Sequence, residues 1–230
     1  MKRVYGRRLL RALLVLIGTV VVVFGALFVK VAYFPPRFPV TSIATLPGFQ
    51  DAKLIERAWA LPVAATYRHE VDFQPNGSVC GPTSVANAFR SLGEGPTTPR
   101  GVLEGSGKCR WDFCFGGLTL DDLAALIREK STRSVTVLRG LTLDEFRMHL
   151  RHSNDLDRRY LVNFQRGLLF GKGVGHHSPI AGYLEDQDLV FVLDVNGRFG
   201  PWLVPSERLF QAMNSPDSST GVARGLLLIQ

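Results

Sequence analysis

In the middle of the chain the apolar positions follow a helical period. Residues 81–93 predict a helix, because Pro82 suits its first turn and Gly93 suits its end. The apolar residues of this segment share one helical face: Val85, Ala88, Phe89 and Leu92. The same period predicts a second helix over 119–129 and a third over 142–150.

Farther along, the apolar positions come in short runs that are typical of strands. We predict strands over 134–138, 160–164, 177–184 and 189–195, with a polar turn at 185–188 joining the last two. Helices followed by an antiparallel hairpin favour an α+β fold. Between 41 and 68 the pattern predicts a linker followed by irregular or short-strand structure.

The N-terminal segment is more apolar than the rest of the chain. Residues 12–29 carry no charged side chain and, as a helix, would span roughly 27 Å, close to the thickness of a bilayer core. Five basic residues precede it: Lys2, Arg3, Arg7, Arg8 and Arg11. The positive-inside rule then predicts a cytoplasmic segment at 1–11 and an uncleaved transmembrane anchor at 12–34. A cleaved signal peptide and a buried core helix are the alternatives.

The net charge of +7 comes from the N-terminus. The first 40 residues contain seven Lys and Arg and no acidic residue, which leaves 20 basic against 20 acidic residues in the remainder. The part of the chain beyond the predicted anchor is therefore formally neutral. A nucleic-acid-binding domain normally carries a basic patch, so the composition gives no support to that class.

The chain has three cysteines: Cys80, Cys109 and Cys114. In an exported protein an odd count indicates a pair and a free thiol. Cys109 and Cys114 could close a small disulfide loop, which an oxidising compartment permits and which leaves Cys80 unpaired. Three buried thiols, or a zinc site made by this pair with a histidine, remain open alternatives.

Three residues far apart in the sequence have the chemistry of a thiol hydrolase or acyltransferase. Cys80 directly precedes a predicted helix, and a helix N-terminus can lower a thiol pKa. His176 would act as general base and then as general acid, with its neighbour His177 as the competing candidate, and Asp194 would orient the imidazole. Gln74, six residues before the cysteine, could donate its amide N–H to an oxyanion.

The predicted hairpin bears on whether the histidine and the acid meet. If Leu184 pairs with Asp188, then Asp194 lies opposite Ser178 and His176 is its diagonal neighbour on the same face. A slip of one residue would place them on opposite faces, and the sequence alone does not determine the register.

Three motifs together resemble the phytochelatin synthase family, a papain-like group of cysteine enzymes that act on glutathione. They are Gln74 with Cys80-Gly81-Pro82-Thr83-Ser84, the block Gly173-Val174-Gly175-His176-His177-Ser178-Pro179-Ile180-Ala181-Gly182-Tyr183, and Val192-Leu193-Asp194-Val195 with Arg198-Phe199 and Pro201-Trp202. The resemblance covers roughly 73–205. In the second motif His176 matches the family's catalytic histidine, and His177 occupies a position that is aromatic in the family.

The resemblance implies a papain-like catalytic domain over 69–230, preceded by a linker and entry segment at 35–68. It implies that Cys80 cleaves the Cys–Gly bond of glutathione through a γ-glutamylcysteinyl thioester, which water or a second glutathione resolves. It further implies that Gln74 serves the oxyanion hole and that Arg166, Arg198 and Gly175 bind substrate.

The resemblance is to the short bacterial type of the family, and with the predicted anchor it implies a single-pass protein of a bacterial inner membrane with a periplasmic catalytic domain. Glutathione or a related γ-glutamyl peptide is the expected substrate, and a homodimer is possible. No cofactor is expected to be required. Cadmium or zinc ions are possible activators or metal-thiolate co-substrates.

Two other functions compete with this interpretation. A papain-like peptidase of the bacteriocin-leader type also has a glutamine six residues before Cys-Gly. A non-catalytic exported module could bind a metal ion through soft ligands from Cys109, Cys114, His176 and His177.

Overall fold

A computed structural model describes residues 2–33, 36–110 and 113–230, with the description of 2–10 and 28–33 limited to the backbone. The described residues divide into two units, 1–37 and 38–230. The helices are α1 (Lys2–Tyr33), α2 (Ala52–Trp59), α3 (Pro62–Thr66), α4 (Cys80–Leu92), α5 (Pro99–Leu103), α6 (Leu120–Lys130), α7 (Leu143–His152), α8 (Arg166–Phe170) and α9 (Ser206–Met213). The strands are β1 (Val135–Leu138), β2 (Arg159–Gln165), β3 (Gly175–Leu184), β4 (Leu189–Leu193), β5 (Pro201–Pro205) and β6 (Gly225–Ile229).

The first unit contains α1. No helix among the described residues is long and apolar enough to cross a membrane. Residue 34, the last of the predicted anchor, and residue 35, the first of the predicted linker, lie outside the described residues. The anchor over 12–34 therefore stays a prediction.

The second unit is built on an antiparallel sheet with the strand order β1-β6-β2-β3-β4-β5. Its two faces are covered by different helices because alternate residues of each strand point to opposite sides. On β2, Leu161 packs with residues of α4 and α6, while Tyr160 and Val162 pack with residues of α7 and α9. Helices packed on an antiparallel sheet confirm the predicted α+β class.

The predicted helices end where their local signals indicate. Helix α4 stops at Gly93, which adopts a left-handed conformation with φ of 70°. Helix α7 begins with a complete capping box between Thr142 and Glu145, in which each side chain bonds the backbone N–H of the other residue. Both features are local, so they could be predicted from sequence.

The expectation of irregular or short-strand structure before residue 68 is wrong. Residues 52–66 form α2 and α3, which pack with the β4 residue Phe191 through Trp59 and Val63. The missed signal was the side chain of Asp51, which caps α2 by accepting from the N–H of Leu54 at 3.0 Å.

The β3–β4 hairpin differs from the predicted pairing at its turn and agrees with it near the acid. Leu184 pairs with Leu189 rather than with Asp188. A bulge between Ile180 and Gly182 then shifts the register, so that Ile180 pairs with Val192, as the predicted register required. The bulge thus compensates for the different turn, and the alignment continues toward Asp194.

Candidate active site

The free thiol of Cys80 lies at the N-terminus of α4 and is 7% exposed. Pro82 occupies the first turn, where its missing N–H costs no helical hydrogen bond. The N-cap residue Val79 makes no side-chain capping bond, so the first N–H groups of the helix are left for another acceptor. This end of a helix favours negative charge and therefore a thiolate.

Two histidines at the start of β3 act on this thiol. The Sγ of Cys80 lies 3.9 Å from Nδ1 of His177. Burial raises the pKa of the Cys80 thiol, but the charge of His176, aided by both imidazoles as hydrogen-bond partners, holds that pKa well below its ordinary value. The direct contact thus comes from His177, while the larger charge effect comes from His176.

His176 is fixed by the carboxylate that follows β4. Its Nε2 lies 2.9 Å from Oδ1 of Asp194, which leaves Nδ1 for a second partner. Burial and the charge of Arg166 lower the pKa of His176, but Asp194 and Cys80 outweigh them, and the pKa is raised. A thiol with a lowered pKa beside an imidazole with a raised pKa favours the thiolate–imidazolium ion pair.

Asp194 is completely buried and fully hydrogen-bonded. Besides His176 it accepts from the two terminal nitrogens of Arg166 at 2.8 and 3.0 Å, from Trp202 Nε1 at 2.9 Å and from the Asn196 N–H at 2.9 Å. Burial would raise its pKa, but the charges of and hydrogen bonds from His176 and Arg166 hold that pKa well below the usual range. The carboxylate is therefore ionised beside the imidazole.

Arg166 lies inward, at the start of α8. Its guanidinium is 4.1 Å from the ring centre of Phe199 and bonds Asp194 with both terminal nitrogens, and the residue is 7% exposed. The structure thus places it against the Asp194 carboxylate rather than on an open rim, and its substrate-binding role stays a prediction. Arg198, the other arginine predicted to bind substrate, is exposed. Its backbone N–H donates a hydrogen bond to Oδ1 of Asn196 at 3.1 Å.

Gln74 is tied to the loop after Asp194, because its backbone N–H donates to the carbonyl of Val195 at 2.7 Å. Its side-chain Oε1 is buried without a hydrogen-bond partner among the described residues. Cys109 and Cys114 form a disulfide, as predicted. The backbone N–H of Cys114 donates a hydrogen bond to Oγ of Ser78 at 3.0 Å, which ties the segment between Gln74 and Cys80 to the disulfide loop.

Arg224 is a buried cation that interacts electrostatically with Cys80, and no sequence motif marks it. Nη1 of Arg224, a residue that is 3% exposed, bonds Asn163 Oδ1 at 2.9 Å and Asp217 Oδ2 at 2.7 Å. Gly175, predicted to bind substrate, leaves space for it, since a Cβ there would overlap the guanidinium. Asn163 pairs with His177 across β2 and β3. The sequence signal was an arginine directly before the apolar run 225–229.

These residues, which we call the arginine cluster and define as Arg224, Asp217 and Asn163, are electrostatically coupled to Cys80. Burial lowers the pKa of Arg224, and both Asp217 and Cys80 oppose that shift. Within the described part of the chain, Nε of Arg224 and Nε2 of His177 are buried without hydrogen-bond partners. Buried polar atoms without partners need a physical explanation, and an ordered water or a bound ligand would each supply one.

No group of three or more His, Cys, Asp or Glu residues in the described ranges is arranged to hold a metal ion. Cys109 and Cys114, named above as soft metal ligands, are joined to each other, and in that state neither offers a thiolate.

Sequence comparisons relate the chain to one family of proteins. A sequence model of the family described as phytochelatin synthase matches residues 112–226. Glutathione gamma-glutamylcysteinyltransferase 2 of Arabidopsis thaliana is 38% identical over 90 residues, which cover 38% of this chain and 20% of that protein. The transferase of Schizosaccharomyces pombe is 26% identical over 117 residues, 50% of this chain and 28% of that protein. The matched region thus spans between a fifth and three tenths of the length of these relatives.

Solved structures show a similar fold. A C39-like peptidase from Bacillus anthracis superposes with a TM-score of 0.51 at 14% identity, covering 71% of this chain and 95% of that one. The peptidase domain of Streptococcus ComA gives 0.48 at 15% identity, covering 70% and 96%.

The lowered pKa of Cys80 predicts how its reactivity depends on pH. A free thiol with a pKa near 8.5 loses about tenfold in alkylation rate per pH unit below that value. For Cys80 we expect a flat rate as the pH falls from 8.5, with the decline beginning only below its depressed pKa. Iodoacetamide modification followed by mass spectrometry measures this profile. His176→Ala should move the decline back toward the ordinary thiol range, farther than His177→Ala, and an unshifted profile in His176→Ala would contradict the assignment.

The contacts of Asp194 predict that activity and stability can be separated. Asp194→Ala should abolish turnover and lower the free energy of unfolding by about 3–5 kcal/mol, because it leaves Arg166 buried without its counter-charge. Arg166→Met in the same chain should recover much of the stability and none of the activity. Denaturant unfolding measures the stability, and a turnover assay with glutathione measures the activity. A double variant as unstable as Asp194→Ala would show that the uncompensated charge is not the cause.

Proposed function

Because this chain belongs to the phytochelatin synthase family, we propose that it cleaves the Cys–Gly bond of glutathione, or of a related γ-glutamyl peptide, through a thioester on Cys80. The observation that carries this proposal is the buried arrangement of Cys80, His176 and Asp194, in which the thiol pKa is lowered and the imidazole pKa is raised. The curated relatives are named glutathione gamma-glutamylcysteinyltransferases.

The chemistry follows from that ion pair. The thiolate of Cys80 attacks the carbonyl carbon of the Cys–Gly peptide bond and forms a tetrahedral oxyanion. The side-chain amide of Gln74 and the backbone N–H of Cys80 stabilise that charge. The imidazolium of His176 gives its proton to the glycine nitrogen, the C–N bond breaks, and the γ-glutamylcysteinyl group remains on Cys80 as a thioester.

The second half of the reaction releases the acyl group. His176, now neutral, removes a proton from water or from the amino group of a second glutathione, which attacks the thioester. Water gives γ-glutamylcysteine, and the amine gives a peptide longer by one γ-glutamylcysteine unit. In both cases the proton returns to the Cys80–His176 pair, so the enzyme is regenerated.

The arginine cluster supplies charged partners for the γ-glutamyl group. This group carries an α-carboxylate and an α-ammonium at one end. Arg224 has an unpaired Nε for the carboxylate, and Asp217 is an ionised acceptor for the ammonium. Their coupling to Cys80 and His177 fits a substrate whose far end is held while its peptide bond lies at the thiol.

We also propose the setting in which the enzyme acts. Residues 12–34 anchor it in a bacterial inner membrane with the catalytic domain outside the cytoplasm, a proposal supported by the charge distribution of residues 1–40. Cadmium and zinc act as activators or enter as glutathione thiolates, and two chains form a homodimer. The disulfide between Cys109 and Cys114 is consistent with an oxidising compartment. The leader-peptidase alternative rests on the fold alone.

The thioester mechanism predicts the outcome of one direct experiment. The full-length protein, incubated with glutathione with and without cadmium, should release glycine, and mass spectrometry should detect one γ-glutamylcysteinyl group on Cys80. Cys80→Ala should show neither signal while keeping its unfolding midpoint, because it lacks the acylated atom. Glycine release that survives in Cys80→Ala would refute the mechanism. The product mass distinguishes hydrolysis from transpeptidation.

The proposed role of the arginine cluster predicts an effect on substrate binding. Arg224→Met should raise KM for glutathione roughly 10- to 100-fold, as expected for the loss of a charge-assisted hydrogen bond. Arg57→Met, which removes an exposed arginine paired with Asp186, is the matched control and should leave KM unchanged. A glutathione analogue without the α-carboxylate should be a poor substrate for the wild type and lose little more in Arg224→Met. If Arg224→Met impaired turnover of glutathione and of the analogue by the same factor, the α-carboxylate of the substrate would bind elsewhere.

A further inference from the structure

The segment that carries Gln74 has no helix or strand to hold it. Residues 70–74, which we call the strap, run from the end of α3 toward the nucleophile, and they follow two consecutive residues with positive φ, Arg68 at 54° and His69 at 58°. Non-glycine residues adopt that conformation only where the surroundings enforce it. The position of Gln74 therefore depends on how the strap is attached.

One side chain attaches the strap through its backbone. Asn87 accepts from the Asp72 N–H through Oδ1 at 2.9 Å and donates to the Asp72 carbonyl through Nδ2 at 3.0 Å. The amide thereby reproduces the paired bonds of a neighbouring β-strand at a single residue. This attachment lies two residues before Gln74, whose own N–H is held by Val195 on the other side.

The amide of Asn87 is completely buried and fully used. Nδ2 also donates to the carbonyl of Thr83 at 2.9 Å, and Oδ1 also accepts from Nη2 of Arg90 at 2.8 Å. Two donors and two acceptor positions are thus all satisfied, which fixes the orientation of the group. Arg90 reinforces the attachment by donating to the carbonyl of Glu70 at 3.0 Å.

Asn87 and the nucleophile belong to the same helix. Asn87 follows Cys80 by seven residues, which is two turns of α4 and roughly 10 Å along its axis, on nearly the same face. The helix therefore sets the distance between the thiol and the point where the strap is attached. An error in that attachment would displace Gln74 relative to Cys80 without moving the thiol itself.

We propose that Asn87 is a positioning residue that holds the strap on α4 and thereby places the side-chain amide of Gln74 in the oxyanion hole. This inference rests on the proposed function, in which Gln74 stabilises the tetrahedral intermediate. Asn87 itself contacts no reacting atom. Its effect should appear in kcat, because the oxyanion forms only after substrate is bound.

The test is a double-mutant cycle between Asn87 and Gln74 in the full-length protein. Asn87→Leu should lower kcat about tenfold or more with little change in KM, since displacing a catalytic group by about 1 Å is that costly. In a Gln74→Ala background the same substitution should cost almost nothing further, because the group that it positions is absent. Asn87→Asp keeps the bond from the Asp72 N–H, loses the donor to the Asp72 carbonyl and should lie between Asn87→Leu and the wild type.

Two measurements separate positioning from general destabilisation. Val85→Ala removes a buried side chain of the same helix that packs toward the sheet, so it should lower stability while leaving kcat unchanged. Amide hydrogen exchange at Asp72 should accelerate in Asn87→Leu and not in Val85→Ala. That readout needs no activity, so it tests the attachment even if glutathione proves to be the wrong substrate.

The outcomes that overturn the inference are distinct from those that overturn the proposed function. Multiplicative losses in the double variant, or an unchanged kcat in Asn87→Leu, would show that Asn87 does not act through Gln74. Unchanged exchange at Asp72 would show that the strap is not held by this amide. A Gln74→Ala enzyme with wild-type kcat would remove the oxyanion role and this inference together. Absence of a thioester on Cys80 would refute the proposed function and with it the catalytic role of the strap, while faster exchange at Asp72 in Asn87→Leu would still show that Asn87 holds the strap on α4.

Discussion

The buried carboxylate of Asp194 is the interaction on which the site depends. It forms hydrogen bonds with the side chains of His176 on β3, Arg166 on α8 and Trp202 on β5. Removing a carboxylate from water costs several kcal/mol, and only such a complete set of donors offsets the cost. The charge of Arg166 has a second effect, because it opposes the rise in the pKa of His176. In the proposed mechanism, an imidazolium stabilised without that opposition would be a weaker acid toward the leaving amine.

Features that depend on residues close together in the sequence could be predicted from it, whereas contacts between residues far apart could not. The start of α7 follows from the capping box of Thr142 and Glu145, and the thiol at the start of α4 follows from its position before Gly81 and Pro82. The pairing of Arg166 with Asp194 joins residues 28 apart, and nothing local to either residue indicates it. The triad residues were named because a motif marked them, whereas Arg224 and Asp217 had no such mark and were missed.

The hairpin shows why register lies beyond such reasoning. The alternation of apolar residues fixes which residues of a strand share a face, but it leaves the pairing partner open. Here the turn includes Asp188 in a left-handed conformation, with φ of 50°, and begins the ladder one residue later than predicted. The bulge after Ile180 restores the alignment that brings Asp194 to His176. The turn and the bulge each shift the pairing by one residue, in opposite directions. Together they give the same pairing near Asp194 that the predicted regular hairpin would have given.

The site contains residues of both α4 and β3, so its geometry depends on the distance between these two elements. The thiol and the attachment of the strap belong to α4, and the imidazoles belong to β3. Ser84, which is completely buried, links them, since its Oγ lies 2.8 Å from the Cys80 carbonyl and 3.0 Å from the His177 carbonyl. Gly81 permits close packing of α4, because a Cβ there would overlap Leu123 of α6. A rigidly docked helix keeps the ion pair at a fixed separation, and a thiolate that owes its low pKa to a neighbouring charge requires that separation to be constant.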